Sequence, residues 1–134
     1  MNLIFDTNVL IAAFSTHGIC HSLFEYALEN CKIITSNYIL DELDKVLKNK
    51  FKLPQSQTDQ IKFFLIESCF IVEYKTFNQQ VSRDKSDDPV LGIIDKNKID
   101  YLISGDKDLL ILKNYKDVPI ISPRELWDIF KQDS

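Results

Sequence analysis

Short apolar runs, each only a few residues long, alternate along this chain with stretches of helical spacing. The runs are Leu3-Ile4-Phe5, Lys32 to Thr35 around Ile33-Ile34, Phe70-Ile71-Val72, Tyr101-Leu102-Ile103 and Val118 to Ile121. A run this short and this apolar fits a strand buried on both faces, which is the signature of a parallel sheet. Alternation with helices means βαβ units and helices on both faces of the sheet. The expected fold class is therefore α/β: a three-layer α/β/α sandwich around a central, mostly parallel sheet of about five strands.

The helical stretches carry their own start signals. Asn8 is placed to cap a helix over Val9 to Phe14, and a second helix is expected from His21 to Glu29 after the break at Gly18. Ser36 precedes a helix to about Lys48, with an apolar stripe of Ile39, Leu40, Leu43, Val46 and Leu47. Ser56-Gln57-Thr58-Asp59 resembles a capping signal, followed by Ile61, Phe64, Leu65 and Cys69 at helical spacing. Asn78 to Asp88 reads as a polar loop, and Asp88-Pro89 opens a helix with the acid as cap. A short helix is expected from Asp108, and Ser122-Pro123-Arg124-Glu125 is a capping box for the last one. Phe63, Phe64, Phe70 and Trp127 are expected in the core.

At 134 residues the chain fits one domain spanning residues 1–134, long enough to bury a core. No apolar run approaches the ~18 residues that cross a bilayer, and the N-terminus lacks the basic region and cleavage site of a signal peptide. The 3 cysteines have no scaffold-like spacing, which favours a reducing, cytoplasmic setting. His17, Cys20 and His21 share one turn at a spacing that zinc could use, but Gly18 interrupts it and no fourth ligand is near. A net charge of −4 argues against nucleic-acid binding by a bulk positive field.

Acids sit where the strands end. Asp6 follows the first strand, Glu42 lies about two turns along the helix after the second, and Asp106 closes the fourth with Asp108 two residues on. Asp87 and Asp88 open the helix that leads into the fourth strand. Ligands of open α/β sheets bind outside the carboxyl ends of the strands. Two carboxylates ~4 Å apart repel by about 4 kcal/mol at an effective dielectric near 20, so such a cluster persists where something positive occupies it. Oxygen ligands of this kind suit magnesium or manganese, and such centres serve phosphodiester chemistry. Taken singly, Asp88, Asp106 and Asp108 are also adequate helix caps.

Four motifs occur in order: Asp6-Thr7-Asn8 after the first strand, Ser36 to Leu47 with Glu42, Asp87-Asp88-Pro89-Val90-Leu91, and Ser104-Gly105-Asp106-Lys107-Asp108-Leu109-Leu110. Together they resemble the PIN-domain ribonucleases, and the single-domain toxins of bacterial toxin–antitoxin pairs in particular. The resemblance implies cleavage of single-stranded RNA by metal-activated water. It implies Asp6, Glu42, Asp88 and Asp106 as catalytic and metal-binding acids, with Asp108 either a fifth acid or the cap of the next helix. It implies Thr7, Asn8 and Ser104 as hydrogen-bonding supports of the carboxylates, and a protein antitoxin as partner. A homodimer is expected too, through an apolar patch on the His21 to Glu29 helix or the C-terminal helix. Lys107 and Lys45 are candidate phosphate contacts, while Lys45, Lys48, Lys50 and Lys52 also suit a solvated helix end. Asp95 departs from the family, which commonly carries a small residue there.

Overall fold

The computed structural model describes residues 1–73 and 88–133, with Asp133 described by its backbone alone. Asp87 and nearly all of the expected loop from Asn78 to Asp88 therefore lie outside the described residues. The elements run in the order β1 (Asn2–Phe5), α1 (Thr7–Ser15), α2 (Ile19–Asn30), β2 (Lys32–Ser36), α3 (Asn37–Asn49), α4 (Gln55–Ser68), β3 (Phe70–Val72), α5 (Pro89–Lys96), β4 (Tyr101–Ile103), α6 (Lys107–Leu112), β5 (Asn114–Tyr115), β6 (Val118–Ile121) and α7 (Pro123–Asp133).

The strands form one sheet in the order β3-β2-β1-β4-β6-β5, flanked by helices. The pairs β1–β2, β1–β4, β2–β3 and β4–β6 are parallel, and only β5 runs antiparallel to its neighbour β6. The expected architecture is thus present, with β5 as an additional sixth strand. Two residues are too few to show a period, so β5 left no mark in the sequence. Lys116 and Asp117, which join β5 to β6, both adopt positive φ, at 49° and 69°. That is the backbone a tight hairpin turn demands.

Central strands are buried on both faces. Leu3 and Ile4 are fully buried and Phe5 nearly so, while Leu102 and Ile103 match them on the neighbouring strand. Register places Leu3 beside Ile33 and Tyr101, and Phe5 beside Ile103. On α3 the expected stripe faces inward, since Ile39, Leu40, Leu43 and Leu47 are buried. Ser36 caps that helix by accepting from the Ile39 N–H at 3.2 Å. Its far end is tied to α4 by Asp44, which pairs with Lys48 at 2.9 Å and Lys62 at 3.5 Å. The Lys48 hydrogen bond, ahead of the Lys62 charge, holds the Asp44 carboxyl below its ordinary value.

The last helix shows how one short sequence signal becomes packing. Ser122 N–H donates to the Glu125 carboxylate at 2.9 Å, and Glu125 N–H donates back to Ser122 Oγ at 3.2 Å. This reciprocal box starts α7 and aims Leu126 and Phe130 into the core. Phe130 stacks at 4.4 Å on Tyr26 of α2. Truncating Phe130 to Ala would cost about 3–5 kcal/mol by loss of that packing.

Two local expectations fail. The helix after Pro54 begins at Gln55 with Pro54 as its cap, and Ser56 to Asp59 form no capping bonds. Instead the Gln55 amide donates to the Asp59 carboxylate at 2.6 Å. The aromatics of α4 and β3 are also largely outside the core: Phe63 is 62% exposed, Phe64 44% and Phe70 57%. The cause is position. The buried side chains of α4 are Thr58 and Leu65, on the side packed against α3, and β3 lies at the sheet edge. Trp127 is half-buried against the core.

Candidate active site

Strand order creates the site. From β1 the chain winds outward through β2 to β3, then crosses to β4 on the opposite side of β1. The switch point lies between β1 and β4, and open α/β sheets bind ligands outside the carboxyl ends of such strands. Asp6 and Ser104 are the first residues past those two strands. Both stay in the ladder: Asp6 N–H donates to the Ile103 carbonyl and Ser104 N–H to the Ile121 carbonyl, each at 2.9 Å. Their backbones are therefore fixed by the sheet.

Asp6 is buried. Its Oδ1 accepts from the Thr7 N–H and its Oδ2 from the Ser104 hydroxyl, both at 2.8 Å. Asp6, and not Asn8, is thus the cap of the first helix, which starts at Thr7. An acid placed directly between a buried strand and a helix was the available signal, but Asn8 competed on equal chemistry.

Thr7 is buried and donates its hydroxyl to Glu42 Oε1 at 2.5 Å. One hydrogen bond thereby fixes the half-buried Glu42 of α3 against the start of α1. Ser104, fully buried, holds a second pair. Its hydroxyl donates to Asp6, and its oxygen accepts from Asp106 N–H at 2.9 Å. Burial raises the Asp6 carboxyl above its ordinary value; the Ser104 and Thr7 hydrogen bonds oppose this, and the charges of Glu42 and Asp106 add to it. Asp6 thus feels the charges of both Glu42 and Asp106.

Asp88 and Asp106 both serve as caps. Asp88 accepts from Val90 N–H at 2.8 Å and Leu91 N–H at 3.4 Å. Asp106 accepts from Asp108 N–H at 2.9 Å, which puts Asp108 in the first turn of α6 and not at its cap. Asp108, Lys107, Lys45 and Asn8 are exposed, and among the described residues Asn8 bonds none of the acids. Lys48 pairs with Asp44. Asp95 is engaged elsewhere, with Lys116 at 2.6 Å and the Tyr115 hydroxyl at 3.1 Å.

Among the described residues, no group of three or more His, Cys, Asp or Glu side chains is arranged to hold a metal ion as it stands. The donor chemistry nevertheless suits a hard divalent cation. These acids offer only oxygen, and a cation would offset both the burial that raises Asp6 and the Glu42 and Asp106 charges that add to it. Among the described residues, His17, Cys20 and His21 belong to no group arranged to hold a metal ion. His21 Nδ1 sits 3.0 Å from the Ala13 carbonyl and Nε2 lies 3.5 Å from Glu25, while burial pushes the Cys20 thiol up. None of the three cysteines forms a disulfide.

A family model described as the PIN domain matches residues 2–108. The chain belongs to the PIN-domain family. PIN domains are generally nucleases, and those nucleases typically use divalent metals. The matched span holds Asp6, Glu42, Asp88, Asp106 and Asp108, and it ends at α6, so β5, β6 and α7 lie beyond it. Among solved structures, this PIN domain is similar to a chain of the VapBC2 complex of Rickettsia felis, crystallised bound to a DNA fragment from their promoter. That likeness has a TM-score of 0.60 at 13% identity and covers 91% of this chain and 98% of that one. At such identity it establishes the fold alone. No curated protein matches the sequence. Among the described residues, no helix is long and apolar enough to cross a membrane.

Proposed function

We propose that this chain is a magnesium- or manganese-dependent endoribonuclease of the cytoplasm that cleaves phosphodiester bonds of single-stranded RNA, and that it is the toxin of a toxin–antitoxin pair. The observation that carries the reading is the trio Asp6, Glu42 and Asp106, brought within electrostatic reach at the switch point and steadied by Thr7 and Ser104. Membership of the PIN-domain family supports the nuclease class. Likeness to a chain of the VapBC2 complex supports a cognate antitoxin protein as partner, and a homodimer belongs to the same proposal.

In this reading Asp6, Glu42, Asp88 and Asp106 hold the cation, with Asp108 as an additional acid at the rim. A bound divalent cation supplies positive charge to the phosphodiester and acidifies water. The protein contributes orientation. Ser104 fixes the Asp6 carboxylate while it holds the Asp106 backbone, and Thr7 fixes Glu42. The exposed Lys107 and Lys45 can meet phosphates of the strand.

The test is manganese-dependent cleavage of labelled single-stranded RNA and of DNA of the same sequence, by the wild type and Asp6→Asn. Cleavage of RNA alone, abolished by chelator and by Asp6→Asn, is the expected result. Equal cleavage of DNA would remove the RNA assignment, and equal activity of Asp6→Asn would remove the site.

A further inference from the structure

Gly105 stands between Ser104 and Asp106 and is the first exposed residue leaving β4. Among the described residues, neither backbone nor packing calls for a glycine there. Its φ lies outside the left-handed region, so the backbone suits any L residue. Among the described residues, a Cβ built on it would meet no atom within 4 Å. By contrast, a Cβ at Gly18 would rest in ordinary contact, 3.6 Å from Thr16 Oγ1. An alanine at position 105 would also restrict the unfolded chain, so folding favours the substitution.

A glycine that neither backbone nor packing requires still has one use: it lets another molecule approach the main chain closely. The neighbours say where. Ser104 Oγ touches Asp6 on one side and the Asp106 N–H on the other, so the exposed Gly105 main chain sits between two residues tied to the acids at the switch point. We infer that Gly105 is a clearance residue, whose missing side chain leaves room for the sugar-phosphate backbone of a nucleic-acid strand crossing the carboxyl edge of β4. The inference rests on the nuclease reading for the identity of the strand, and it makes position 105 a determinant of strand binding, with no part in holding the acids.

The test uses the full chain and a fluorescein-labelled oligouridine, with binding read by fluorescence polarisation in calcium buffer. Melting temperature and manganese affinity are measured alongside. Gly105→Ala should fold with an unchanged or higher Tm and bind slightly more weakly. Gly105→Leu should keep its Tm and its manganese affinity but bind the RNA about tenfold more weakly. Gly105→Gln is the second bulky variant should leucine disturb folding. Equal RNA affinity of the wild type and the bulky variants would overturn the inference. So would a matched loss of manganese affinity, which would mean that the acids had moved, or a wild type that binds no RNA. Wild type that binds the strand and never cleaves it, with binding still lost in Gly105→Leu, would support the clearance role while removing the nuclease reading.

Discussion

Ser104 Oγ lies 2.8 Å from Asp6 Oδ2 across 98 residues of sequence. The same oxygen accepts from Asp106 N–H at 2.9 Å. One buried hydroxyl thus couples the acid that ends β1 to the acid that follows β4. Ser104→Ala removes a hydrogen bond to a buried carboxylate and should cost about 1.5–3 kcal/mol of stability. It should also lower nuclease activity, and Ser104→Thr, which keeps the hydroxyl, should restore part of both. Urea denaturation and cleavage assays on the same preparations check this. A fully stable Ser104→Ala would contradict the coupling.

Asp6 should destabilise the metal-free protein at neutral pH. Burial raises its carboxyl above the ordinary value of 3.8, so the folded state binds the proton more tightly than the unfolded chain does. Stability from this group is full below the unfolded value and is lost as pH rises through the folded one. Asn at this position keeps an acceptor for the Thr7 N–H and carries no charge, and Asn caps helices as well as Asp does. Asp6→Asn should therefore be the more stable protein at neutral pH without divalent metal. Its advantage should shrink as pH falls toward 3.8. Unfolding curves across that range decide it, and a variant weaker at every pH would show that the cap outweighs the burial.

The order of the acids and the strand-helix alternation were legible because each depends on local chemistry. Leu3-Ile4-Phe5 reads as a buried strand whatever surrounds it, and Ser122 with Glu125 closes its box within four residues. Strand order was not legible, since nothing near Tyr101 says that it pairs with Leu3. That pairing is what brings Ser104 to Asp6. Phe63 and Phe64 misled because hydrophobicity records what a side chain prefers, whereas exposure depends on which face of α4 meets α3. The cap at Asp6 was ambiguous because Asp and Asn serve a helix start almost equally.

Thr58 presents a second consequence of that packing. It is fully buried, and its hydroxyl has no hydrogen-bond partner among the described residues. Thr58→Val replaces an unsatisfied hydroxyl by a methyl of similar size and should stabilise the protein by about 1 kcal/mol. A rise in urea midpoint with unchanged slope would show it. A loss of stability would mean that the hydroxyl has a partner.

Asp95 should leave the chemistry untouched. It is tied to Lys116 and Tyr115 at the β5–β6 hairpin, and the Lys116 side chain is 60% exposed, so solvent screens the pair. Asp95→Ala should lower the Tm only slightly, less so at high salt, with cleavage rate retained. A large drop in rate at unchanged Tm would place Asp95 in the site.

The central claim is that the acids at the β1–β4 switch point make a divalent-cation site, and calorimetric titration of manganese into the protein tests it most directly. The account predicts saturable binding by the wild type that is lost in Asp6→Asn and weakened in Glu42→Gln and Asp106→Asn. Binding of equal strength in wild type and Asp6→Asn, or none in either, would contradict it.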